Sequence, residues 1–317
     1  MVALRLDGIT PAVSLPMTAD AAPDLVAFAR YLRWVVDQGP VAIAVNADTG
    51  EGPHLSPDER RAVIEAAVDA VGDRVPVIAG ISGPYTAQAA TEARQAVASG
   101  ASGLLVFPIP AYAGAPLDPE VPYAYHAAIA DATPAPIVLF QLQPALGGVL
   151  FDDEALERLV GIPSVVAIKE ASFDALRFVR LRDQLRRLRP ITLLTGNDNF
   201  ILESFVLGAT GALIGLSAIA TREQVAMFEA HRDGHRDKAQ GWSDRLAPLI
   251  YATFGRPPVR NYRARIKEGL VMQGVIPRAT VRPPLLAVSD EERELVREAL
   301  TGLGLLDPAG VAAGARA

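Results

Sequence analysis

The sequence has no cysteine, and this absence excludes several kinds of chemistry. Disulfide bonds, thiolate nucleophiles and cysteine-ligated metals are all ruled out. Histidine is also scarce, with four residues, and neither a His-Glu-x-x-His pair nor another metal-ligand spacing is present. The chain also lacks a P-loop and a dinucleotide-binding fingerprint. We therefore expect neither a metal nor a cofactor.

Long apolar runs and basic blocks are absent as well. No uninterrupted apolar segment approaches the roughly 20 residues needed to cross a bilayer, and residues 1–7 lack the apolar centre of a secretory signal. The formal net charge is −6, which argues against nucleic acid as a main partner. The sequence therefore predicts a cytoplasmic protein that binds neither membranes nor nucleic acids.

Lysine is the third scarce residue, because only three of the 30 Lys and Arg residues are lysines. Lys238 and Lys267 lie in charged helical segments, where we expect both to be solvated. Lys169 ends the apolar run 165–168, where burial of an unpaired ammonium is costly and lowers its pKa. A neutral amine attacks a carbonyl carbon, whereas a guanidinium does not. Lys169 is thus a candidate nucleophile, and a buried ion pair with Glu170 is the structural alternative.

Short apolar strands alternate with amphipathic helical segments along most of the chain. Continuous apolar strands are typical of a parallel sheet that is buried on both faces. Their spacing, roughly 20 to 34 residues, is that of a βα unit, and about eight such units predict an α/β fold of the (β/α)8 TIM-barrel type. The predicted strands are 9–14, 41–45, 75–81, 103–107, 137–142, 165–169, 191–195 and 211–215.

The pattern becomes entirely helical after the eighth strand. Segments 221–254, 260–274 and 289–303 each have helical periodicity, and the first should contain the eighth barrel helix. We therefore predict a barrel of residues 1–230 and a C-terminal helical appendage of residues 231–317 packed on it. The small residues of 309–317 predict a disordered end.

The active site of a TIM barrel lies where its strands end, so the residues at these ends are candidates. The second strand is followed by Asp48, Thr49 and Gly50, whose hydroxyl and N–H groups suit a carboxylate ligand, although a simple turn is an alternative. On the fifth strand, side-chain alternation places Gln141 on the opposite face from Phe140, so this residue is expected to point away from the site.

Taken in order, the strand ends and their neighbours resemble the dihydrodipicolinate synthase/N-acetylneuraminate lyase family over roughly residues 7–305. The segment Val-Ala-Ile-Lys-Glu-Ala-Ser at 166–172 is similar to the family's Schiff-base lysine segment, and Asp-Thr-Gly-Glu at 48–51 to its carboxylate-binding turn. The other similar segments are 76–81, 103–108, 194–198, 208–211 and 282–285.

The resemblance implies a lyase, either an aldolase or a dehydratase. Lys169 would form an imine with a 2-oxo acid, such as pyruvate or a 2-keto-3-deoxy sugar acid, and Thr49 and Gly50 would hold its carboxylate. The family also implies a homo-oligomer, either a dimer or a tetramer. The substrate-binding candidates are Thr49, Gly50, Phe140, Gln141, Gly196 and Leu213.

Several positions depart from the family pattern. Phe140 stands where the family has a proton-relaying tyrosine, and the arginine that binds a second carboxylate falls on Ala145 or Leu146. A role in lysine biosynthesis is therefore not expected. Asp48 replaces the first hydroxyl residue of the turn and is our first candidate for a substitute catalytic base, although it is also suited to capping its own turn. Tyr112 is a weaker candidate, with a surface position as its alternative.

Two other functions stay open. A family member altered at Phe140 would bind a metabolite as a sensor or scaffold without catalysis. A phosphate-handling barrel enzyme rests on fold analogy alone.

Overall fold

The computed structural model describes residues 3–112 and 117–306. Eight strands form one sheet in which all neighbouring pairs are parallel. The strands are β1 (Ile9–Pro11), β2 (Ile43–Val45), β3 (Val77–Ile81), β4 (Gly103–Val106), β5 (Ile137–Leu142), β6 (Val165–Ala171), β7 (Thr192–Thr195) and β8 (Gly211–Ile214).

The sheet curves into a nearly closed barrel. The hydrogen-bonded order runs from β1 through β8 and down to β2. An isolated parallel bridge between Ala12 and Ala44 joins the two remaining edges. This arrangement confirms the predicted (β/α)8 barrel, and all eight predicted strands are present with boundaries that differ by a few residues.

Helices follow the strands and cover the outside of the barrel. Helix α2 begins at a capping box, in which the Ser56 hydroxyl accepts from the Glu59 N–H and the Ser56 N–H donates to the Glu59 carboxylate, with Pro57 at the first helical position. The helices are α1 (Leu25–Val36), α2 (Pro57–Val71), α3 (Thr86–Ala98), α4 (Glu120–Ala132), α5 (Asp153–Val160), α6 (Ala175–Leu185), α7 (Ile201–Val206), α8 (Thr221–Arg232), α9 (Arg236–Ile250), α10 (Tyr262–Met272) and α11 (Asp290–Leu303).

The predicted helical segment 221–254 is divided into two helices. Helix α8 ends at Arg232, and Gly234 adopts a φ of 77°, which favours glycine and ends a helix. Helix α9 then continues into a π-helical turn, Tyr251–Gly255. Across residues 3–112 and 117–306, no helix has both the length and the apolarity that a membrane span requires.

The C-terminal helices share the core that surrounds the barrel. Leu246 of α9, Ile266 of α10 and Val296 of α11 are fully buried in the same apolar cluster as the outward-facing residues of the strands. The division at residues 230 and 231 into two domains stays a prediction. The predicted disordered end, 309–317, lies outside the described residues.

Helix α10 is tied to the turn after β2 by a buried ion pair. The Lys267 Nζ atom lies 2.5 Å from the Glu51 Oε1 atom, and both side chains are fully buried. Lys267 also donates to the Thr280 carbonyl at 2.7 Å, and the Arg282 N–H donates to Glu51. The prediction that Lys267 is solvated is therefore wrong, because its polar neighbours in sequence do not reveal a buried carboxylate about 200 residues away in the chain. Lys238, in contrast, is exposed as predicted.

This ion pair yields a stability prediction. In the variant Lys267→Met the Glu51 carboxylate stays buried without its counter-ion, so the free energy of unfolding should fall by about 3–5 kcal/mol. Urea unfolding followed by tryptophan fluorescence measures the change. Lys238→Met makes the same substitution at an exposed site and should leave stability unchanged. Equal stability of the two variants would contradict a structural role for the pair.

Candidate active site

The Lys169 side chain lies inside the barrel at the C-terminal end of β6. Its residue is 8% exposed, and it pairs in register with Phe140 of β5. The Nζ atom is 4.1 Å from the centroid of the Phe140 ring. Burial lowers the pKa of Lys169 to about 8, although the charges of Asp198 and Asp48 oppose the lowering. A substantial fraction of this amine is therefore neutral near pH 8.

Glu170 faces the other side of the strand, as the alternation of side chains requires. Its carboxylate accepts hydrogen bonds from Asn197 Nδ2 at 2.7 Å and from the Ser172 N–H at 3.0 Å. The alternative prediction, in which Lys169 forms a buried ion pair with Glu170, is therefore wrong.

A cavity at the mouth of the barrel surrounds the Lys169 side chain. Five of the eight predicted site residues line it: Asp48, Thr49, Phe140, Lys169 and Gly196. The other lining residues are Ala12, Leu142, Leu146, Ala171, Phe173, Asp198, Gly215, Phe254 and Tyr262.

Gly196 permits the close packing of β7 against Lys169. A Cβ atom at this position would lie 2.5 Å from the Lys169 Cε atom and 2.9 Å from the Ala171 Cβ atom. Any side chain would therefore displace the lysine. The absence of a side chain at Gly196 thus leaves the space that the Lys169 side chain occupies.

Asp48 is held by two neighbouring residues of the C-terminal region. The Tyr262 hydroxyl donates to Asp48 Oδ2 at 2.6 Å, and the Arg263 guanidinium forms an ion pair with the same carboxylate. Burial acts to raise the pKa of Asp48, but the charge of Arg263 and these hydrogen bonds outweigh it and lower the pKa. The carboxylate stays ionised and is a weak base, which argues against Asp48 alone as the catalytic base.

Thr49 and Gly50 occupy different positions in the turn after β2. Thr49 is buried and lines the cavity beside Gly215. The Gly50 N–H donates to the Ala47 carbonyl at 3.1 Å, so it is occupied within the turn. A Cβ atom on Gly50 would lie 2.9 Å from the Val13 carbonyl oxygen. Gly50 therefore shapes the turn, and its predicted contact with a ligand carboxylate is not supported.

Gln141 and Leu213 are the other predicted residues that do not line the cavity. The Gln141 Oε1 atom accepts from the Phe151 N–H at 2.8 Å, on the face of β5 that points away from the barrel interior. Leu213 packs among the apolar residues inside the barrel, two positions before the cavity residue Gly215. Neither residue lines the cavity, and their assignment as substrate-binding residues stays a prediction.

Three functional candidates were missed by the sequence predictions. Asp198 ends the segment after β7, and burial raises the pKa of its carboxyl to about 6 despite hydrogen bonds from the Leu216 and Gly215 N–H groups. Asp198 lies in segment 194–198, which resembles the family, so the sequence contained a pattern that could have identified it. Tyr262 and Phe254 come from the C-terminal region, and no local pattern marks them.

Tyr112 neither reaches the cavity nor lies on the surface. It is fully buried and packs edge-to-face against Tyr125, with ring centroids 5.7 Å apart. Its predicted surface position is wrong, since the short helical turn that carries it folds inward against α4.

Comparison with known proteins agrees with this geometry. The model of the dihydrodipicolinate synthetase family matches residues 5–303. The chain is 32% identical to a 4-hydroxy-tetrahydrodipicolinate synthase of Gluconacetobacter diazotrophicus over 302 residues, which covers 95% of this chain and 98% of that protein.

Solved structures of the same family superpose closely. Dihydrodipicolinate synthase from Thermotoga maritima has a TM-score of 0.86 at 26% identity, with 95% of this chain and 99% of that chain covered. YagE of E. coli K12, a prophage protein of the dihydrodipicolinic acid synthase family solved in complex with pyruvate, has a TM-score of 0.85 at 25% identity and coverage of 96% and 100%. From its sequence, its barrel and its buried lysine, the chain belongs to the dihydrodipicolinate synthetase family.

Proposed function

We propose that the protein is a lyase in which the Lys169 amine forms an imine with the C2 carbon of a 2-oxo acid such as pyruvate. The chain belongs to a family of lyases, and the 2-oxo acid is the part that we propose. The observation that carries the proposal is the buried Lys169 amine with its lowered pKa at the mouth of the barrel. The pyruvate complex of YagE supports the choice of ligand class.

The neutral amine is the reactive form. Its lone pair attacks the C2 carbonyl, and the resulting carbinolamine loses water to give a neutral imine. This imine takes up one proton from solvent and becomes the protonated form. The imine draws electrons from a neighbouring C–H or C–C bond, which breaks toward an enamine. This reaction serves an aldolase and a dehydratase equally.

The cavity residues have distinct proposed roles. Thr49 holds the ligand carboxylate through its hydroxyl, and the Phe140 ring forms the apolar wall beside the nitrogen. The carboxylates of Asp48 and Asp198 stabilise the positive charge of the imine, as they do that of the ammonium. Gly196 leaves the space in which Lys169 lies.

Assembly and location belong to the same proposal. We expect a dimer or tetramer of identical chains in the cytoplasm, with a small 2-oxo acid as the binding partner. Sedimentation velocity measures the assembly.

A second candidate function is the binding of a metabolite without catalysis. It is favoured by Phe140, which faces Lys169 and has no hydroxyl with which to move a proton. A ligand that binds to the cavity without forming an imine would support this alternative.

Borohydride trapping tests the nucleophile. Borohydride reduces an imine to a stable amine, so treatment with pyruvate should add one reduced ligand to the protein mass, and peptide mapping should place it at Lys169. Lys169→Ala should form no adduct, whereas Lys238→Ala, at an exposed lysine, should react like the parent protein. If calorimetry detects binding but no adduct forms with any of a panel of 2-oxo acids, the result would favour metabolite binding without catalysis.

The pH dependence of imine formation is a second prediction. Only the deprotonated amine attacks, so the rate at low pyruvate should rise about tenfold per pH unit below the pKa of Lys169 and level off above pH about 8. Asp198→Asn removes a negative charge that favours the ammonium. In this variant the inflection of the pH–rate profile should therefore move to lower pH. Asp58→Asn, at an exposed site, should not move it. An unchanged inflection in Asp198→Asn would contradict the electrostatic account.

Gly196→Ala tests the geometry around the amine. The added methyl group would overlap the Lys169 side chain, and a displaced nucleophile should slow imine formation by about 10²-fold. The matched control is Gly241→Ala in α9, where a Cβ atom meets no other atom within 4 Å. Rapid mixing with pyruvate and borohydride measures both rates, and equal rates would show that Gly196 is not needed to place Lys169.

A further inference from the structure

The C-terminal region contributes a tyrosine to the wall of the Lys169 cavity. Tyr262, the first residue of α10, is 4% exposed and lines the cavity. Its ring stacks on Phe254 with centroids 4.6 Å apart, and Phe254 belongs to the π-helical turn after α9. This stacking fixes the ring, so the hydroxyl has a defined position.

The Tyr262 hydroxyl is joined to an ionised partner. It donates to Asp48 Oδ2 at 2.6 Å, a short hydrogen bond to a charged acceptor. Arg263, the next residue of α10, holds the same carboxylate and donates from Nε to the Asp48 carbonyl at 2.8 Å. Adjacent residues of one helix thus supply the phenol and the cation that fixes its acceptor.

Imine formation requires a group that moves a proton. The carbinolamine nitrogen loses one proton and the departing hydroxyl gains one, so a carrier between them accelerates the step. Phe140, which lies against the Lys169 nitrogen, has no exchangeable proton. The carrier therefore comes from elsewhere in the cavity.

The other polar groups of the cavity are less suited to carry the proton. Both oxygens of Asp198 accept backbone N–H groups, from Leu216 and Gly215. Asp48 is held ionised by Arg263, so it has no proton of its own to give to the departing hydroxyl, and Thr49 has a hydroxyl of low acidity. Tyr262 lines the cavity, and its O–H group is already in contact with the carboxylate of another lining residue, Asp48.

We propose that Tyr262 and Asp48 form the proton relay of this site. This inference rests on the proposed imine chemistry. A proton passes from the carbinolamine nitrogen to the Tyr262 oxygen while the phenol proton moves to Asp48. The transfer then reverses toward the carbinolamine hydroxyl, the C2–O bond breaks, water leaves, and the C=N double bond forms. One proton moves from nitrogen to oxygen, and the product is the neutral imine, which then takes up one proton from solvent to become the protonated imine.

Tyr262→Phe tests the relay because it removes only the hydroxyl. Pyruvate affinity should be unchanged, while the rate of imine formation, measured by rapid borohydride quenching, should fall by about 10²- to 10⁴-fold. Tyr112→Phe is the matched control, since Tyr112 is buried, lies outside the cavity, and has no hydrogen-bond partner for its hydroxyl among the described residues. Its rate should equal that of the parent protein.

A double-mutant comparison separates a relay from a structural role. Asp48→Asn should slow imine formation, and Tyr262→Phe combined with Asp48→Asn should be no slower than the worse single variant, because both residues act in one transfer. Multiplying losses would overturn the relay.

Borohydride trapping in the parent protein distinguishes failure of the relay proposal from failure of the imine proposal. An adduct in the parent protein together with an undiminished rate in Tyr262→Phe would overturn the relay alone. No adduct in the parent protein would overturn the imine itself.

Discussion

The removal of one amine from water is the constraint on which the site depends. The barrel surrounds Lys169 with the apolar side chains of β5 and β6, and this burial disfavours the ammonium. Asp198 and Asp48 act in the opposite direction, so the pKa settles at about 8 rather than far below it. A fraction of the amine is therefore uncharged near neutral pH, and the same carboxylates would stabilise the positive charge of the proposed imine on this nitrogen.

The C-terminal helices are part of the site as well as of the outer core. Helix α10 contacts the turn after β2 twice, through Arg263 on Asp48 and through Lys267 on Glu51. The first contact lies at the cavity, and the second anchors the turn in the interior. Because removal of one partner from a buried ion pair is costly, the position of α10 and the shape of the turn depend on each other. Tyr262, the first residue of α10, is positioned by these two ion pairs.

The sequence predicts the framework better than the details of the site. Apolar strands and the capped start of α2 are local patterns, and Lys169 stands out because it ends such a strand. Lys267 was mistaken for a solvated lysine, since its partner, Glu51, is 216 residues away. Tyr262 was missed for the same reason, since it is 214 positions away from Asp48 in the sequence. Gly50 was assigned to the ligand from its motif, but its N–H is used inside the turn.

The central claim is a covalent bond between the Lys169 nitrogen and C2 of a 2-oxo acid. A crystal structure of the protein soaked with pyruvate tests it most directly. The account predicts continuous electron density from Nζ to the ligand, with the ligand carboxylate against Thr49. Pyruvate in the cavity with density separate from Nζ, or bonded to another lysine, would contradict it.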